Sequence, residues 1–218
     1  GLPLVPIGIL FMSLSFIDKY YVEQFLSLSN LGLYSIALFF YSMIMVVANA
    51  FYKAIEQVIF INLNSREKEL SKILRNFGFG IVSIIALILL GYGGILKFLA
   101  IVEEPSFSVL ILYICLAAYF GAQNLILRTY LIADYRQNRQ VWAALGALVT
   151  TLGLYVLLRH NFALWEAGLV LFLMQFVQFI ILVVSNKRRL NGNLWFMSSL
   201  TVLALITSFY TFYLFIVD

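Results

Sequence analysis

Charge is scarce in this sequence. Asp, Glu, Lys and Arg together make up 11% of its 218 residues, where soluble domains carry about a quarter. With 63% of the residues hydrophobic, a water-soluble core could not hide the apolar surface. Cysteine occurs once, as Cys115 inside an apolar run, so neither a disulfide framework nor a cysteine-rich metal site is available, and its expected role is packing. Histidine also occurs once, as His160 in a connection, which reads as an exposed loop residue rather than a catalyst. No Ser/His/Asp set, His-rich cluster, Walker loop or paired acidic motif is present, so no catalytic residue and no metal ligand is expected. Without a nucleotide site, uphill movement of any cargo would need a proton or sodium gradient or a partner ATPase. No bound cofactor is expected.

What the sequence does have is long, unalternating apolar runs. A helix needs about 20 such residues to cross a hydrocarbon core of roughly 30 Å. Spanning backbone must satisfy its own hydrogen bonds, so these runs predict helices and exclude a barrel. The fold class is all-α: a polytopic transmembrane bundle of about seven spans, at residues 2–21, 33–60, 77–99, 107–133, 141–158, 165–184 and 194–217, forming a single bundle over 1–218. The chain opens on Gly1 with no basic stretch ahead of the apolar run, which reads as a piece of something longer and not as a signal peptide.

The formal charge of +4 sits in short connections, which argues for topology and against a nucleic-acid partner. Arg66, Lys68, Lys72, Arg75, Arg136, Arg139, Lys187, Arg188 and Arg189 all follow even-numbered spans. The other connections hold Lys97 and Arg159 beside Glu103 and Glu104. The positive-inside rule therefore puts the N-terminus and the even-numbered loops in the cytoplasm. The longest connection, 61–76, leaves no room for a soluble catalytic domain, and its alternating signs at 65–72 read as a solvated helix or loop at the surface. Trp165, Trp195 and the tyrosines near span ends read as interfacial belt residues.

Polar groups inside the spans are the candidates for function, since an ionisable group at mid-membrane costs at least ~2.5–3.5 kcal/mol. Asp18 and Lys19 lie roughly 24 Å along the first span, either as a neighbouring pair that neutralises itself or as part of a polar cavity wall. Asn49, Lys53, Glu56 and Gln57 share one stripe of the second span, with Lys53 near the cytoplasmic edge and within reach of Glu56 or Gln57. Gln123, Asn124 and Arg128 repeat the pattern on the fourth span. Gln175 and Gln178 share a face of the sixth, where amides commonly join helices. Gly78, Gly80, Gly91, Gly93 and Gly94 would let the third span approach a neighbour closely or bend. Together these residues could line an amphipathic path for hydroxyl-rich, anionic cargo such as a sugar-phosphate lipid.

Three segments carry a resemblance. Gly1-Leu-Pro-Leu-Val-Pro-Ile-Gly8, then Asp18-Lys-Tyr-Tyr-Val22, then Gly32-Leu-Tyr-Ser35 resemble the start of the second half of polysaccharide exporters of the multidrug/oligosaccharidyl-lipid/polysaccharide superfamily, the O-antigen flippases among them. Lys19 stands where that family usually has Arg, keeping the charge and losing the bidentate fork. The stretch from Phe51 to Gln57 occupies the place of a family segment with an aromatic and a proline, and lacks the proline, while 165–168 is similar to a small-residue helix start.

The resemblance implies the C-terminal lobe of a two-lobed transporter whose N-terminal lobe is absent here. It implies a flippase that moves polyprenyl-pyrophosphate-linked oligosaccharide across a bacterial cytoplasmic membrane by alternating access, without covalent chemistry. Asp18 and Lys19 are then lobe-lining residues. The other path candidates, Asn49, Lys53, Glu56, Gln57, Gln123, Asn124, Arg128 and Gln175, follow from depth and spacing alone. The alternatives are an exporter of the same superfamily with a drug or lipid-precursor cargo, and a membrane-embedded glycan polymerase or ligase. The latter would need a large outer loop or a clustered Arg/His/acid site.

Overall fold

The computed structural model describes residues 4–61, 68–99, 105–133, 136, 138–159 and 162–186. Within them the chain is entirely helical: α1 Leu4–Phe25, α2 Leu28–Ile61, α3 Lys68–Leu99, α4 Pro105–Ala133, α5 Asn138–Leu158 and α6 Leu164–Ser185. Helices α2 to α6 are each long and apolar enough to cross a membrane, so this is a multi-pass α-helical membrane protein. The segment expected at 194–217, the basic residues Lys187, Arg188 and Arg189, and His160 lie outside the described residues.

The helices outrun the apolar segments that announce them. At 34 residues α2 is about 51 Å long, well beyond the roughly 30 Å of hydrocarbon. Its first turn begins at Leu28, where the Ser27 hydroxyl accepts the N–H of Asn30. α3 starts at Lys68, so most of the connection expected at 61–76 is helix. Lys68, Glu69, Lys72 and Arg75 are good helix formers, Glu69 and Lys72 are of opposite charge three apart, and the helix simply continues out of the apolar region. Pro105 opens α4, a position where a missing N–H costs nothing.

α4 is the centre of the bundle, packing most extensively on α6 and then on α2, with α3 at its side, α5 packed chiefly on α6 and α1 against α5. Gly168 permits the close α4–α6 approach, since a Cβ there would lie 2.8 Å from Leu110 Cδ1 and 3.2 Å from the Leu110 carbonyl. Phe120 fills the same seam, its ring centroid 4.8 to 5.9 Å from those of Phe172, Phe176 and Phe179. Cys115 is buried in α4 among these apolar side chains.

Antiparallel neighbours bring the basic ends together. Arg139 at the start of α5 donates to the Ser185 carbonyl at the end of α6 (2.8 Å), and Gln140 donates to the Arg128 carbonyl near the end of α4 (2.8 Å). Asn186 donates to the Leu127 carbonyl (3.3 Å). Of these acceptors the Ser185 carbonyl is helix-terminal and would otherwise be orphaned, while those of Leu127 and Arg128 lie just before the last turn of α4 and tie that helix to its neighbours. The opposite end holds Asp18, Tyr34 and Tyr155, with Tyr21 stacked on Tyr155 at 4.7 Å and Phe162 beyond.

Candidate functional site

A buried carboxylate needs donors, and Asp18 finds them on two other helices. Tyr34 Oη of α2 donates to Oδ2 at 2.7 Å, and Tyr155 Oη of α5 donates to Oδ1 at 2.6 Å. All three residues are buried. Lys19, the expected neutralising neighbour, is exposed and turns into a cavity instead. One helical position separates the two side chains by about 100°, which is enough to give them different surroundings. The belt reading of the span-end tyrosines therefore fails for Tyr34 and Tyr155. Their hydroxyls serve an internal acid, and the signal that could have found them was the depth they share with Asp18.

The cavity has a volume of about 520 Å³ and lies among α1, α2 and α6. Its polar wall is made by Asp18, Lys19, Ser35, Tyr41, Ser42 and Gln175, and Leu38, Phe39, Leu171 and Met174 complete it. Hydroxyls, an amide, an ammonium and the edge of the Asp18 carboxyl thus face one space inside an apolar bundle. Such a wall can accept and donate hydrogen bonds to a hydroxyl-rich ligand and offers one cation to an anion.

From the cavity a polar stripe continues along α2. Ser35, Ser42, Asn49 and Lys53 fall at intervals of seven, seven and four residues, on one side of the helix, and all four are exposed. Ser35 and Ser42 donate back to the Leu31 and Leu38 carbonyls (2.8 and 2.9 Å), which makes a hydroxyl cheap to carry on an apolar helix. Asn49 donates to the Met45 carbonyl at 2.8 Å, but its own carbonyl oxygen stays outward. That oxygen calls for water or polar company, while the Lys53 ammonium has Glu56 beside it. At about 1.5 Å per residue, the stripe from Ser35 to Lys53 runs roughly 27 Å, close to the thickness of the hydrocarbon core.

At the basic end the expected local pairing of Lys53 is with Glu56, Nζ to Oε2 at 2.8 Å. Glu56 also accepts from Tyr52 Oη at 2.8 Å, and Tyr52 shares a hydrogen bond with Thr129 of α4 at 2.6 Å. Glu56 therefore belongs to a clamp between α2 and α4, and Gln57 is exposed beside it.

The α4 candidates occupy a different setting. Asn124 is fully buried, and its Nδ2 donates to Gln175 O and Oε1 (both 3.1 Å) and to Gln178 Oε1 (3.3 Å) of α6. Arg128 Nη2 donates to the same Gln178 Oε1 at 2.6 Å. Gln123 is also buried and donates to the Leu74 carbonyl of α3 at 3.3 Å. Neither Gln123 nor Asn124 lines the cavity. Gln175 joins the two regions, because its Nε2 donates to Tyr41 Oη (3.3 Å) on the cavity wall while its Oε1 takes Asn124.

The structure therefore brings Asp18, Lys19 and Gln175 together at one cavity, places Asn49 and Lys53 on the stripe leading from it, and assigns Glu56, Gln123, Asn124 and Arg128 to contacts between and along helices. Sequence reasoning missed Ser35, Tyr41 and Ser42, because hydroxyls are cheap in a membrane helix and raise no alarm. Among the described residues no cluster of His, Cys, Asp and Glu could hold a metal ion. Comparison with family models, with curated proteins and with solved structures finds no match.

Proposed function

We propose that this chain is one lobe of a membrane flippase that moves lipid-linked oligosaccharide across a bacterial-type cytoplasmic membrane by alternating access. The observation that carries the reading is the cavity of Asp18, Lys19, Ser35, Tyr41, Ser42 and Gln175, continued by Ser35, Ser42, Asn49 and Lys53 along α2. A cation stands near each end of that stripe, Lys19 at one and Lys53 at the other, and hydroxyls and amides lie between. This suits a cargo with an anionic phosphate and many hydroxyls. The resemblance of the first 35 residues to polysaccharide exporters supports the same cargo, polyprenyl-pyrophosphate-linked oligosaccharide.

In this reading the chain carries its cargo and does not convert it. Lys19 attracts the phosphate, Ser35, Tyr41, Ser42 and Gln175 exchange hydrogen bonds with sugar hydroxyls, and Asp18 holds α1 in place. The exposed face of α2 looks across the path towards a second lobe. The basic end, with Arg136 and Arg139, lies in the cytoplasm, and the end with Asp18 lies outward.

The deciding experiment asks where lipid-linked oligosaccharide accumulates in cells lacking the full-length gene. Repeat units trapped on the cytoplasmic leaflet are the expected result. Accumulation on the outer leaflet would mean a polymerase or ligase, and normal levels in both leaflets would mean a different cargo, such as a drug or a lipid precursor.

A further inference from the structure

A second concavity lies on the far side of α2, roughly opposite the polar stripe. Phe51 and Ile55 of α2 face Ile73, Phe77 and Gly80 of α3 across an open groove of about 360 Å³, with Asn76 as its single polar side chain. On α3 the lining residues recur at the three- and four-residue spacing of one helix face. Gly80 sets the depth of the groove: a Cβ placed there would meet no atom within 4 Å. Gly78, two residues earlier, is packed instead, its Cβ position lying 2.7 Å from Gln123 Nε2. The groove is therefore a particular place on α3 and not a general looseness between helices.

Its surroundings point to an occupant. The groove lies at the basic end of the bundle, beside the Lys53 turn of α2 and the first turns of α3. Lys72 is exposed one helical turn before Asn76, at the edge of the lining face. In sequence, 66–75 carries Arg66, Lys68, Lys72 and Arg75 against Glu67 and Glu69, a positive excess. An apolar slot, one amide at its mouth and the Lys72 cation one turn beyond reproduce in order the parts of an anionic phospholipid: acyl chain, ester region and phosphate.

We propose that the α2–α3 groove is a binding site for an anionic phospholipid of the surrounding bilayer, with one acyl chain along Phe51, Ile55, Phe77 and Gly80 and the phosphate beside Lys72. The site is independent of the transport reading and would stand if the cargo proved to be something else.

The test uses the full-length protein reconstituted in bilayer discs containing phosphatidylglycerol with a photoactivatable group midway along one acyl chain. Illumination is expected to label peptides containing Phe51 to Ile55 and Ile73 to Ile81, and to label them less when the same chain is carried by phosphatidylcholine. Lys72→Ala should reduce the preference for phosphatidylglycerol by about fivefold. Gly80→Leu, which fills the groove without displacing any atom near its Cβ, should abolish the labelling while the protein remains folded and monodisperse. The proposal is overturned if those peptides are not labelled, if Gly80→Leu labels as strongly as the parent, if the two headgroups label equally, or if only a polyprenyl phosphate labels the groove. Absence of label with cross-linking of Gly80→Cys to a cysteine placed in 194–217 would identify the chain's own remaining segment as the cover, and would overturn it too.

Discussion

Helices α2 and α4 carry the same kinds of polar residue and treat them in opposite ways. The membrane-crossing window of α4 is 78% buried and that of α2 is 22% buried, the extremes among the five spans. Asn124 of α4 is enclosed by Gln175 and Gln178, whereas Asn49 of α2 bonds only to its own helix and faces outward. Arg128 is held by Gln178 inside the bundle, and Lys53 is 70% exposed with Glu56 as its partner. An amide or a cation inside a span is therefore no sign of a transport path by itself. The neighbours on other helices decide whether it ties helices together or remains available to a ligand.

The sharpest way to break this distinction is to remove the acid that joins α1, α2 and α5. Asp18→Leu leaves two buried phenols without an acceptor and should cost roughly 2–4 kcal/mol, read as a lower melting midpoint of the purified protein. Asn124→Leu comes next, expected to cost about 1–2 kcal/mol because Gln175 Oε1 loses its donor and Gln178 Oε1 is left with Arg128 alone. Asn49→Leu, the matched change on α2, should leave stability within about 0.5 kcal/mol and instead reduce export. If the two asparagine variants lose equal stability, the contrast between the helices is wrong. Gly78→Ala should destabilise by about 1 kcal/mol through its contacts with Gln123 and Tyr119, while Gly80→Ala should be neutral or slightly stabilising. The smallest effect is expected from Glu56→Gln, within about 0.5 kcal/mol, because the Lys53 pair is exposed and an amide oxygen can still accept from Tyr52.

The helical class and six of the helix positions were legible because hydrocarbon imposes long apolar runs, and such runs are written in the sequence directly. Helix ends were less legible: Lys68 to Asn76 reads as a connection by charge and folds as helix, since charge marks where the membrane stops and not where the backbone does. Within the site, Asp18, Lys19 and Gln175 stand out as polar groups that lipid should exclude. Tyr34, Tyr41 and Tyr155 do not, because an aromatic ring in a membrane helix or near its end is unremarkable until its hydroxyl is seen to have a partner. The split between Asn49 and Asn124 was equally hidden. Both sit on helical stripes of polar residues, and only the packing of α6 against α4 shows which stripe is enclosed.

Asp18 and Lys19 are neighbours in the chain with separate occupations, one committed to two tyrosines and the other left in the cavity. The consequence is a division between what can drift and what cannot. Position 18 is locked by partners on two other helices, so changing it means changing all three at once. Position 19 has no such obligations, and substituting it alters the charge presented to a ligand with little effect on the scaffold. On the proposed transport reading, a descendant of this chain could acquire a new cargo by changing position 19 while the fold that holds it stays as it is.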